Sequence, residues 1–195
     1  MKSNLKILAL FIFVLFAMPM TAHAHLIGGN GLESGITHPF FGLDHLLAMV
    51  AVGIISTQIG GKAIWKVPTV FVSFMVVGGL FGIEGFQFPI AETGITVSVL
   101  VFGVFIVLSK KIPVNWAMIC VALFALFHGH SHGEEMPLIA NAALYTIGFV
   151  FSTTLLHIMG VLIGHYARKT EFTLELLRYL GAGMSGIGLL FLFGF

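Results

Sequence analysis

The chain has 195 residues, of which 58% are hydrophobic and only 9% charged, with a formal net charge of +1 and a mean hydropathy of +1.06. So little polar surface excludes an ordinary soluble globular protein of this size, and the few charges sit at the ends of apolar runs without forming a patch that would hold nucleic acid. A lone cysteine, Cys120, lies inside an apolar run, which leaves neither a disulfide framework nor a thiolate cluster for a soft metal.

Residues 1–24 have the three parts of a cleavable secretory signal. Lys2 and Lys6 precede an apolar stretch over 7–17, and Ala22-His23-Ala24 forms a small-residue cleavage site. The apolar stretch is shorter than the ~20 residues needed to span a bilayer. The mature chain, 25–195, is expected to begin at His25 and to form a single domain.

Breaks carrying Gly, Pro or charge divide the remainder into apolar runs near 39–59, 67–83, 89–109, 112–136, 138–166 and 174–194. The expected fold is therefore all-α, a polytopic bundle of six transmembrane helices with no soluble domain. If the mature N-terminus lies outside, the connections after the first, third and fifth helices face the cytoplasm. They hold Lys62, Lys66, Lys110, Lys111, Arg168, Lys169 and Arg178, which are all the basic residues beyond the signal. The opposite connections carry Glu33, Glu84, Glu92, Glu134 and Glu135 and no lysine or arginine. Basic residues stay on the cytoplasmic side, so the bias predicts this orientation, with the mature N- and C-termini both periplasmic.

Ionisable groups inside a span cost about 2.5–3.5 kcal/mol each and persist where they line a cavity or serve a function. One cluster is His38-Pro39-Phe40-Phe41-Gly42-Leu43-Asp44-His45 in the first run. Pro39 suits the first position of a helix, which would push His38 out of helical geometry onto the rim as a cap or ligand. The other cluster is Phe127-His128-Gly129-His130-Ser131-His132-Gly133-Glu134-Glu135 in the fourth run, ended by Pro137. On a helix, His128, His132 and Glu135 share one face, whereas His130 and Glu134 lie off it and read as solvated loop residues.

A ruler drawn from the cytoplasmic lysines tests whether the clusters can meet. His45 stands 17 residues from Lys62 and His128 stands 17 from Lys111, about 25 Å above that face at 1.5 Å per residue. His38 and Glu135 both stand 24 residues away, about 36 Å up. Two stacked rings of nitrogen and oxygen ligands near the outer surface are predicted, with His157 deeper as a candidate relay or a hydrogen-bonded core histidine. Imidazole and carboxylate without thiolate suit Ni²⁺, Co²⁺, Zn²⁺ or Cu²⁺ better than Mg²⁺ or Ca²⁺. The Asp44–His45 pair can alternatively be read as a hydrogen-bonded lock between helices, Glu84 and Glu92 as outer loop acids, and the Met and Phe residues as packing or lipid-facing groups.

These motifs give the chain a family likeness. His38-x5-Asp44-His45, with Leu46-Leu47-Ala48-Met49-Val50-Ala51-Val52-Gly53 after it, and Phe127-His128-Gly129-x-Ser131-His132-Gly133-x-Glu135 resemble the HupE/UreJ membrane proteins, associated with nickel supply to hydrogenase and urease. A stretch from Gly148-Phe149 through Thr154 to Leu155-Leu156-His157 and Gly160 is similar as well. Ser131 stands where the family usually has alanine or valine. The resemblance implies nickel or cobalt uptake across a bacterial inner membrane, with His38, Asp44, His45, His128, His132 and Glu135 as the metal-handling residues. It implies no permanently bound cofactor, the metal being cargo, and a functional link to hydrogenase or urease maturation. Two other functions stay open on the residues alone. His128, His132 and Asp44 are enough for a membrane metallohydrolase with a catalytic zinc, and the outer cluster suits a metal store or sensor feeding another transporter.

Overall fold

The structure, a computed structural model, describes residues 31–109, 112–137 and 140–194. The proposed signal, Lys110 and Lys111 lie outside the described residues. Seven helices follow in order: α1 (Leu32–Phe41), α2 (Leu43–Ile59), α3 (Ala63–Ile83), α4 (Ala91–Leu108), α5 (Val114–Glu134), α6 (Ala142–Ala167) and α7 (Glu171–Leu192). Five of them are long and apolar enough to cross a membrane. The pair α1 and α2, bent by 86° at its break, passes the same test only when taken together, as one broken span or a re-entrant segment, which gives five or six spans in all. No strand occurs among the described residues.

The first span departs from the sequence reading. The helix does not start at Pro39. Pro39 and His38 both lie within α1, and the chain breaks at Gly42, whose extended backbone starts α2. Pro39 sits late enough in a ten-residue helix that its missing N–H costs one hydrogen bond in a segment about to end.

Helix α2 is the axis of the bundle. Thirteen of its 17 residues are buried, so it is apolar all round because protein surrounds it all round. It packs along α6 and also touches α3, α4 and the short α1, while α3 pairs with α5, α4 with α7 and α1 with α6. Lipid offers apolar side chains no reason to leave it, so close contact between spans depends on small residues that let backbones approach. The α3/α5 seam shows this. A Cβ on Gly129 would strike the Met75 carbonyl oxygen and lie 2.9 Å from the Gly79 amide nitrogen, and one on Gly133 would lie 2.9 Å from Gly82 Cα. Gly129 and Gly133 do not unwind α5. They hold its histidine-bearing turns against α3.

At one end of the bundle, Arg168 Nη1 donates to the Thr57 carbonyl at 2.8 Å and ties the end of α6 to that of α2. Lys62, Lys66, Lys169 and Arg178 gather at this end, near the exposed rings of Trp65, Trp116, Tyr166 and Tyr179, the amphipathic aromatics typical of a membrane–water boundary. The histidines of α1, α2 and α5 lie at the opposite end.

Gly129→Ala should lower stability by about 1–3 kcal/mol or prevent assembly, since the seam has no room for the methyl group. Gly186→Ala on α7, where a Cβ meets nothing within 4 Å, should leave stability unchanged or slightly higher. Thermal melts of the detergent-solubilised variants provide the comparison.

Candidate metal centre

Three helix ends converge at the break. Asp44 occupies the first turn of α2, where unpaired backbone N–H groups and the helix dipole favour a carboxylate. Its Oδ1 accepts the His45 backbone N–H at 2.8 Å and faces His45 Nδ1 at 3.0 Å. Nδ1–H therefore donates to the carboxylate, and the buried Nε2 keeps a free lone pair with no partner among the described residues.

From α5, the His128 ring lies 4.8 Å from that of His45, and the His132 ring lies 4.8 Å from both His45 and His38. His38 Nε2 meets Glu135 Oε2 at 2.9 Å. The paired heights read from the lysine ruler thus correspond to neighbours in space, His45 with His128 and His38 with Glu135. The two rings are not separate, because His132 touches both. Its own ring stacks on Phe149 of α6 at 5.2 Å with an interplanar angle of 8°, which fixes its plane while both ring nitrogens stay unpartnered.

His128 is oriented by a residue that the sequence did not single out. The Ser98 hydroxyl on α4 lies 2.6 Å from the Ile95 carbonyl and 2.9 Å from His128 Nε2. The hydroxyl proton serves the carbonyl, so Oγ accepts from Nε2–H, and the buried Nδ1 of His128 is left with its lone pair free. A serine four positions before Phe102 on an apolar helix gives no sequence signal of this role. Glu92, expected as an outer loop acid, joins the rim instead. The Ser131 hydroxyl lies 3.0 Å from Glu135 Oε1 and 3.2 Å from Glu92 Oε1, so two carboxylates compete for one proton.

His130 corrects the expectation of a solvated residue. It does face away from the cluster, as helical phase requires, but it is fully buried. Nε2–H donates to the Phe86 carbonyl, the ring packs edge-on against Phe88, and Nδ1 faces Glu134 at 3.3 Å. His130 thereby staples the α3–α4 connection to α5. Glu134 and Glu84 are exposed, as expected. His157 is buried on α6 and makes no hydrogen bond to a carbonyl among the described residues. Phe71 stands between the two levels, its ring 5.7 Å from His128 and 5.1 Å from His157.

The donor set is imidazole and carboxylate, with lone pairs of His45, His128 and His132 directed at no protein partner. Among the described residues, no three His, Cys, Asp or Glu side chains are arranged to hold one ion together.

The profile of the HupE / UreJ protein family matches residues 10–191. The chain belongs to the HupE/UreJ family. It is 47% identical over 146 residues to Protein HupE of Rhizobium leguminosarum bv. viciae, an alignment covering 74% of this chain and 76% of that relative. No solved structure matches it. Members of the HupE/UreJ family are transporters or accessory proteins and not enzymes, which sets aside the metallohydrolase reading.

His130→Ala should destabilise the protein by about 1–3 kcal/mol through the unpaired Phe86 carbonyl and the lost ring. Glu134→Gln, at an exposed position, should change stability by less than about 0.5 kcal/mol. Chemical denaturation in mild detergent measures both.

Proposed function

We propose that this protein is an inner-membrane permease that takes up a divalent transition-metal ion, nickel first and cobalt next. In this reading the ion enters at the periplasmic histidine cluster and leaves at the end carrying the basic residues. One observation carries it: imidazoles from α1, α2 and α5 meet at the break of a discontinuous span with buried nitrogens unpartnered. A buried donor or acceptor left unmade costs about 1–3 kcal/mol, so such atoms call for an occupant. Broken spans place helix ends and irregular backbone at ion sites in other membrane carriers, and here Asp44 and His45 begin α2 while His38 lies in the last turn of α1.

His38, Asp44, His45, His128, His132 and Glu135 form the metal-handling set in this proposal. Asp44 fixes the His45 tautomer, and Ser98 does the same for His128. Nickel comes from the family resemblance, which also makes hydrogenase or urease maturation the destination of the ion. Imidazole and carboxylate together suit nickel and cobalt, and a partly open arrangement releases an ion that a closed four-ligand cage would retain.

Uptake of nickel, cobalt, zinc and copper by cells expressing the chain tests the function directly, with nickel expected to accumulate most. Asp44→Asn, His128→Ala, His132→Ala and Glu135→Ala should each abolish or severely reduce that uptake. Glu134→Ala, and His130→Ala normalised to inserted protein, should retain most of it. Equal loss in His130→Ala and His132→Ala at equal abundance would make the segment a metal-wrapping loop. Binding by purified protein without ion entry into liposomes would replace the permease with a metal store. Reporters fused after Lys111 and after Pro137 should read cytoplasmic and periplasmic respectively, and the reverse pattern would turn uptake into export or cytoplasmic delivery.

A further inference from the structure

Below the histidine cluster, two sulfurs and a hydroxyl meet in the centre of the bundle. Thr153 Oγ1 on α6 lies 3.3 Å from Met49 Sδ on α2 and 3.5 Å from Met75 Sδ on α3, and all three residues are fully buried. The contact is unusual for this protein. The buried hydroxyls of Ser56, Thr57, Ser98 and Ser152 each donate to a backbone carbonyl, and Thr154, the next residue along, bonds the Val150 carbonyl at 2.7 Å. A thioether is a weaker acceptor than a carbonyl. Thr153 nevertheless makes no carbonyl bond and turns its oxygen to the two sulfurs.

Helical spacing fixes the depth of this layer. Met49 follows His45 by four residues on α2, and Thr153 follows Phe149, the residue stacked on His132, by four on α6. Each step descends about 6 Å from the outer cluster. Four residues further along α6 stands His157, buried with both ring nitrogens unpartnered. On α3, Met75 lies one turn from Phe71, whose ring touches both His128 and His157. By these helical steps the sulfurs lie at a depth between the outer imidazoles and His157.

We infer that Met49, Met75, Thr153 and His157 form an inner station for a soft or borderline transition-metal cation, separate from the outer cluster. The station has two thioethers, a hydroxyl and an imidazole, all neutral. Such ligands take nickel, cobalt or copper and reject Mg²⁺ and Ca²⁺, which need oxygen shells with negative charge. This deepens the uptake reading and rests on it for the direction of travel, although binding at the station does not require transport.

The test uses the full chain in detergent, with Ni²⁺ alone as probe. Met49→Leu/Met75→Leu keeps core volume nearly constant, and such swaps usually cost less than about 1.5 kcal/mol. Equilibrium dialysis should show the double variant holding about one Ni²⁺ per chain fewer than the parent, and X-ray absorption should show sulfur among the nickel ligands of the parent alone. Should the double variant fail to give monodisperse protein, Met75→Leu should show a weakened sulfur contribution to the nickel signal, about half that of the parent. Equal nickel content with no sulfur ligand in the parent overturns the station, whatever the uptake. A parent that binds the additional, sulfur-ligated ion but admits no Ni²⁺ to liposomes supports the station and overturns the permease instead.

Discussion

A backbone break within a membrane span is tolerated where protein or a polar cavity surrounds it, because lipid satisfies neither the freed N–H nor the freed C=O groups. The break at Gly42 is the constraint on which the rest of the site depends. It ends α1 with His38 in its last turn and starts α2 with Asp44 and His45 in its first turn, so two helix ends bearing ionisable groups share one location. Both must then be covered. Helix α6 covers α1, and α5 brings His128 and His132 against the opened turn. An unbroken span would have spread His38 and His45 along its axis, about 10 Å apart at seven residues, in place of the 6.2 Å between their rings.

Cover of this kind needs helices that approach closely without a hydrophobic force to press them together. Glycine supplies the approach. Gly78, Gly79 and Gly82 on α3 oppose Gly129 and Gly133 on α5, and Gly53 on α2 opposes Gly160 on α6. On α5 these glycines alternate with His128, His130 and His132, so one face is given to backbone contact while imidazoles project to either side. His128 and His132 go to the cluster, and His130 goes to the Phe86 carbonyl. The same short sequence thus serves packing, the imidazole cluster and the anchoring of a loop.

The spans were legible because bilayer length forces long apolar runs, and each expected run has a helix over most of its length. The meeting of His45 with His128, and of His38 with Glu135, was legible too, since equal distances from a charged boundary become equal heights when helices rise at a fixed rate. Helical phase likewise separated His130 from His132. Reading Pro39 as a helix start failed because a proline late in a short helix and one opening a long helix look alike, and the deciding residue was Gly42. His130 was misread because the sequence does not show that the α3–α4 connection returns a carbonyl to its side chain. Ser98, Glu92 and the Met49–Thr153–Met75 contact were missed for a related reason: each role exists only across helices, at positions whose own helix gives an ordinary apolar pattern.

The acidic residues set a direction on the site. Of the eight in the chain, Glu33, Asp44, Glu84, Glu92, Glu134 and Glu135 belong to the histidine end, and Glu171 and Glu175 follow the last basic loop. Between Asp44 and that loop, the polar groups of the described core are neutral: Met49, Met75, Thr153, His157, then Ser56, Thr57 and Gln58. A divalent cation moving inward along this line would leave carboxylates for uncharged donors, so each stage would hold it less strongly than the one before. Loss of binding charge opposes the movement, and an inside-negative potential offsets it by about 2.3 kcal/mol per elementary charge per 100 mV, twice that for a divalent ion. Neutral thioether and imidazole ligands reduce the depth of the well that the field must overcome, whereas a carboxylate in mid-membrane would trap the ion. Under the proposed uptake and orientation, the arrangement would suit capture at the charged end and release at the other, with an electrical gradient of the right sign to favour inward passage.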